Sequence, residues 1–245
     1  MKRFFDRISS KARNVDEAPV LIVALGDSLT QGVMEHRRLD SASVYHRILQ
    51  EHLETHFPAT TFSTINAGVS GDTAAGGCKR LERDVIRHQP DLVILAFGSN
   101  DSVRGIDYLP QFESDMEAII RRVRTETQAD LLVLTPPFMA TRQDGFLIHP
   151  EHRIYTEEIV QAQTSGVLCE FTNVVRKLCL RHELVMADIR AAWMRLAADG
   201  LDTDTWMVNG LNHPGPQGHR IAADLAFHAL LTAGLNVRPL NEAGN

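Results

Sequence analysis

A doubly wound α/β domain, with about five parallel strands and helices on both faces, is the fold this sequence predicts. Three observations predict it. Short continuous apolar runs recur along the 245 residues, each reading as a strand buried on both faces. Amphipathic helical patterns separate them, so the strands connect by right-handed crossovers and run parallel. Glycine-rich polar clusters follow three successive runs, as expected where the carboxyl edge of such a sheet carries a site.

The first run, 19–25, ends at Gly26, and others lie at 61–65, 91–97, 130–135 and 183–187. Helical patterns occupy 43–56, 74–88, 111–127, 150–181 and 189–198, and a closing helix spans 215–231 with Gly234 as its stop. Residues 1–18 read as an N-terminal extension, 19–235 as one domain and 236–245 as a tail; no repeat or linker divides them. In the extension, Phe4, Phe5 and Ile8 share one face of a short helix, which is expected to dock or fray rather than attach to a membrane. The basic residues Lys2, Arg3, Arg7, Lys11 and Arg13 are followed by no apolar stretch, so no secretory signal is expected.

Composition narrows the partners. With 25 basic and 31 acidic residues the formal charge is −6, which disfavours nucleic acid and favours a small-molecule substrate. No run reaches the roughly 20 apolar residues of a membrane helix. Cys78, Cys169 and Cys179 lack metal-ligand spacing and read as reduced thiols of a cytoplasmic protein. Nothing in the sequence indicates an oligomeric state.

The strand ends carry the chemistry. Ser28 follows the first strand in Gly26-Asp27-Ser28-Leu29. A serine hydroxyl there is a candidate nucleophile if a base takes its proton, although Asp27 or Ser28 can equally serve as a helix cap. Gly71 lies in a turn whose bare backbone amide a substrate can approach. Asn100, in Gly98-Ser99-Asn100-Asp101, offers an uncharged side-chain donor. The Ser28 and Gly71 amides and the Asn100 side chain are thus three candidate oxyanion donors, with ordinary turn chemistry as the alternative for each. His213, in Asn212-His213-Pro214 before the last helix, has the residue type to act as base near neutral pH. His219, inside that helix, is expected to pack rather than react. His149 and His152 lack a third metal ligand, so no metal and no cofactor are expected.

Taken together, Gly26-Asp27-Ser28-Leu29, residues 66–73 around Gly71, Gly98-Ser99-Asn100-Asp101 and Asn212-His213-Pro214 resemble, in order and separation, the motif set of the SGNH (GDSL) hydrolases. The resemblance runs from Gly26 to His219. It implies a flavodoxin-like three-layer fold and ester or thioester hydrolysis through an acyl-enzyme. It also implies Ser28 as nucleophile, His213 as base, and Gly71 and Asn100 as oxyanion donors beside the Ser28 amide. One departure stands out: the family's aspartate three residues before the histidine is here Gly210. The group that orients His213 is left open among Asn209, Asp204, Asp202 and a main-chain carbonyl.

Short acyl esters are the expected substrates, with loops 33–40, 103–110 and 138–153 bordering the pocket. Those loops mix Val33, Met34, Phe138, Met139 and Phe146 with Arg104, Arg142 and Arg153. The alternatives are a phosphodiesterase-type hydrolase, although no phosphate-binding Gly-rich loop is present, and a non-catalytic flavodoxin-like binding domain, which the missing aspartate favours. An α/β-hydrolase would need a Gly-x-Ser-x-Gly elbow, which the sequence lacks.

Overall fold

The structure is a computed structural model, and it describes residues 1–35, 38–143 and 148–237. Phe146 and the tail beyond 237 lie outside them. Among the described residues, five strands form one parallel sheet in the order β2-β1-β3-β4-β5: β1 (Val20–Gly26), β2 (Phe62–Gly68), β3 (Leu92–Ala96), β4 (Asp130–Leu134) and β5 (Val185–Ala187). The helices are α1 (Lys2–Arg13), α2 (Ser28–Gln31), α3 (Tyr45–His56), α4 (Ala74–Asp84), α5 (Ser99–Val103), α6 (Leu109–Glu126), α7 (Thr156–Thr164), α8 (Val167–Arg181), α9 (Ile189–Ala198) and α10 (Pro216–Val237).

The continuous apolar runs make three layers because a strand's side chains alternate between faces. Val20, Ile22, Ala24, Leu92, Ile94, Leu132 and Leu134 enter one core with residues of α1, α3, α9 and α10. The interleaved Val23, Leu25, Val93, Leu95, Leu131 and Val133 enter the opposite core with α4, α6 and α8. A smaller cluster of Met139, Ile148, Ile159, Ala162, Leu168 and Leu211 lies under the loops near α7. The parallel register brings Gly26 level with Gly68 and Ala96. Three loops therefore leave the sheet at one height.

Several boundaries differ from the sequence pattern. The stretch 150–181 is not one helix but a 3₁₀ segment Pro150–Tyr155, then α7 and α8, with the chain turning at Gly166. Thr156, Glu157 and Glu158 in the first turn of α7 mark a helix start inside that stretch. Gly234 does not stop α10, which continues to Val237. A Cβ at Gly234 would lie 2.6 Å from the Phe5 ring, so the glycine makes room for α1 to pack on α10.

The N-terminal helix is docked. Phe4 (0% exposed) and Ile8 belong to the core, and the Phe4 amide donates to Asp130 Oδ2 at 2.9 Å across from β4. Phe4→Ala is expected to cost about 3–5 kcal/mol of stability, the scale for truncating a buried phenylalanine. Urea unfolding checks this, and a loss under about 1 kcal/mol would mean that the helix is not part of the cooperative unit. No helix among the described residues is long and apolar enough to cross a membrane.

Candidate active site

Ser28 begins α2 directly beyond β1, and Asp27 caps that helix by accepting the Leu29 amide at 2.9 Å. Helix capping and placement of the hydroxyl thus belong to successive residues. The Ser28 carbonyl accepts the amides of Gly32 and Val33, both at 3.0 Å, turning the chain back on itself. The turn is pinned again where Val33 bridges Leu39 and the Met34 amide donates to the Arg38 carbonyl.

His213 comes from the other end of the chain. Asn209 Oδ1 accepts the backbone amides of Leu211, Asn212 and His213 at 2.9–3.0 Å, which winds the loop that presents the ring. Gly210 sits in that loop at φ +73°, a conformation favouring glycine, so the position where the family places aspartate is here a backbone turn. His213 Nε2 lies 3.0 Å from Ser28 Oγ, and Nδ1 lies 3.0 Å from the Met34 carbonyl oxygen.

A carbonyl can only accept, so Nδ1 carries the proton and the Nε2 lone pair faces the serine hydroxyl. Of the acceptors left open by the sequence, the main-chain carbonyl is the one in place. Asn209 shapes the loop instead. Asp204 accepts from the Thr141 and Arg142 amides, and Asp202 pairs with Arg142. The group that orients His213 is thus carried by the same turn as Ser28. A backbone carbonyl leaves no mark in a sequence.

Burial pushes the His213 imidazolium down to about 4, with the Met34 bond opposing and His152 adding to the shift. The ring is therefore neutral, and able to accept a proton, across the physiological range. For a base that must be neutral, kcat/KM is expected to hold from pH 8 down to about 5 and to fall by half near pH 4. An acid limb near 6.5, the value of a solvated imidazole, would contradict this environment.

The other two loops converge on the same place. Gly71, at φ +74°, has nothing within 4 Å of where a Cβ would stand, and its amide, like that of Ser28, meets no protein acceptor among the described residues. Asn100 Nδ2 donates to the Asp72 carbonyl at 2.9 Å and lies 3.4 Å from Asp27 Oδ2. Asp101, fully buried, ties the second loop to the third by accepting the Ala74 and Gly98 amides. Arg80 joins the strand ends, donating to the Gly26 and Ala67 carbonyls. Burial raises the Asp27 carboxyl to about 7 and that of Asp101 to about 6.

Ser28, Gly71, Asn100 and His213 all line one pocket of about 470 Å³. His152 lines it from within the expected bordering loop 138–153, but the sequence pattern missed Tyr155, Glu158 and Ile159, from the end of the 3₁₀ segment and the first turn of α7. Of the arginines expected at its border, Arg104 lines it, whereas Arg142 is ion-paired to Asp202 and Arg153 is not a lining residue. His219 is buried in α10, where Nδ1 accepts the Tyr45 amide.

The sequence model of the GDSL-like lipase/acylhydrolase family matches residues 24–221. This chain belongs to that family. It thereby stands among carboxylic ester hydrolases. It is 28% identical to the esterase TesA of Pseudomonas aeruginosa over 148 residues, 60% of this chain and 68% of that protein. It is 30% identical to thioesterase 1/protease 1/lysophospholipase L1 of Escherichia coli over 112 residues, covering 46% of this chain and 49% of that protein. The fold of this hydrolase is shared with the acetylxylan esterase Axe2 from Geobacillus stearothermophilus, at TM-score 0.66 and 20% identity over 86% of this chain and 93% of that one.

Proposed function

We propose that this hydrolase cleaves carboxylic esters of short acyl chains through an acyl-enzyme on Ser28. His213 Nε2 takes the hydroxyl proton as Ser28 Oγ attacks the ester carbonyl carbon. The carbonyl oxygen becomes an oxyanion held by the Ser28 and Gly71 amides and the Asn100 side chain. His213 then returns the proton to the leaving alcohol, and water, deprotonated by the same imidazole, releases the acid and restores Ser28. The observation that carries the reading is one imidazole with Nδ1–H on the Met34 carbonyl and Nε2 at 3.0 Å from Ser28 Oγ. The missing aspartate argued for a decayed site only while no other acceptor reached His213. A short acyl group suits a pocket whose aliphatic lining is confined to Val103, Ile159 and Leu211.

Asn100→Ala is expected to lower kcat on 4-nitrophenyl acetate by roughly 10²–10³-fold, the cost of one lost oxyanion donor. KM should change far less, because the oxyanion forms only in the transition state. A change confined to KM would remove Asn100 from that role.

A further inference from the structure

Two opposite charges line the pocket beside Ser28 without serving the proposed chemistry. Arg104 follows α5 directly, and its guanidinium stacks on the Tyr108 ring at 4.8 Å, which fixes where the charge sits. Glu158 stands in the first turn of α7, the helix packed against α5. Both are exposed, and neither forms an ion pair with another described residue. Helix-end electrostatics favour an acid at Glu158 and a base at Arg104. They do not account for both charges lining one pocket with Ser28, each without an ion-pair partner among the described residues.

We infer that Arg104 and Glu158 select the alcohol half of the substrate, and that this half is dipolar, bearing an anionic group for Arg104 and a cationic group for Glu158. The inference rests on the proposed hydrolysis at Ser28. An acyl group as small as acetyl has no atoms left to reach a pocket-edge charge, so recognition by these residues falls on the alcohol. The carboxylate or phosphate meets a guanidinium whose planar fork suits it. The ammonium meets a carboxylate that has no ion-pair partner among the described residues. Arg104 and Glu158 act on binding of the ester and leave proton transfer to His213. His152 and Tyr155, which line the same wall, complete the surroundings of the cationic end.

Four acetyl esters separate the contributions: acetylcarnitine, with both charges on its alcohol; acetylcholine, with only the cation; acetoxyacetate, with only the anion; and ethyl acetate, with neither. Acetate release gives kcat/KM for each. Acetylcarnitine is expected to exceed ethyl acetate by about tenfold at low salt, the combined scale of two exposed charge contacts. The preference should shrink in 0.5 M NaCl, because screening weakens exposed contacts. Arg104→Gln should lower the rates on acetylcarnitine and acetoxyacetate relative to ethyl acetate, and Glu158→Gln those on acetylcarnitine and acetylcholine. Arg104→Lys should restore part of the anion preference. Rate ratios that are the same in the parent and both variants overturn the inference, and so does a preference for acetoxyacetate that survives or grows in Glu158→Gln together with no preference for acetylcarnitine. Turnover of 4-nitrophenyl acetate by the parent separates the two readings: if it persists while the charge ratios are flat, only the dipolar selection fails, and if it is absent, hydrolysis at Ser28 itself fails.

Discussion

Replacing Ser28 by alanine is expected to lower kcat/KM on 4-nitrophenyl acetate by on the order of 10⁴–10⁶-fold, the range seen when a serine nucleophile of a hydrolase is removed. The protein should stay folded. Ser28 is buried, and the substitution deletes one oxygen that shares a hydrogen bond with His213, a change of about 1 kcal/mol. The backbone is little affected, because the Asp27 cap accepts the Leu29 amide and the Gly32 and Val33 amides bond to the main-chain carbonyl of residue 28. A fluorophosphonate probe should label the parent at Ser28 and leave the variant unlabelled, since the probe needs the activated hydroxyl. Equal turnover by the variant and the parent would defeat the assignment outright. A parallel collapse of thermal stability would show that the loss reports unfolding instead, and circular dichroism checks that point.

Two strand ends were legible because Ser28 and Asn100 follow uninterrupted apolar runs, whereas Gly71 follows the mixed, half-buried β2 and was marked by its glycine-rich turn. Val20–Gly26 delivers Ser28, Phe62–Gly68 delivers Gly71 and Leu92–Ala96 delivers Asn100, at one edge fixed by parallel pairing. Periodicity also found α9 at its observed bounds, Ile189–Ala198. Illegible parts fall into two kinds. The Met34 carbonyl is a group every residue possesses, and its use depends on a turn held by the carbonyl of Ser28, so no side chain announces it. The pocket wall on α7 was hidden because the pattern of 150–181 ran through two helices, and the turn at Gly166 separates apolar residues that stay in phase. Gly234 misled in the opposite way. Its lack of a side chain serves contact with Phe5, and contact between distant segments is invisible to a local rule.

The site also departs from the arrangement in which a carboxylate backs the imidazole. A carboxylate behind Nδ1 stabilises the imidazolium that forms as the serine proton leaves, whereas a carbonyl supplies a dipole only. On the proposed mechanism, the electrostatic support on the oxyanion side gains in weight. Asp27 Oδ2 lies 3.4 Å from Asn100 Nδ2, and burial raises the Asp27 carboxyl to about 7. The proposed catalysis then depends more on the preorganised donors than on a charged relay.

That balance makes His213 the second position of large effect. His213→Ala is expected to reduce kcat/KM by on the order of 10⁴–10⁶-fold, because without a base the serine hydroxyl must attack while keeping its proton. The residual rate should lose the limb near pH 4, since the group that titrates there is gone. The truncation also leaves the Met34 carbonyl without its side-chain donor, which costs about 1–3 kcal/mol unless water enters. Water can enter, because the ring lines an open pocket of about 470 Å³, and so can added imidazole. Imidazole at millimolar concentration is therefore expected to restore part of the rate in His213→Ala and none in Ser28→Ala, where no nucleophile remains to be activated. Rescue in both variants would mean that imidazole itself attacks the ester, and rescue in neither, with both variants folded, would mean that the vacated space does not hold a ring against Ser28 Oγ. The decisive measurement is the pH dependence of the rescued rate. A free imidazole returns the acid limb toward 6.5–7, and the distance between that value and about 4 measures how strongly burial between Met34 and Ser28 lowers the affinity of the native ring for its proton.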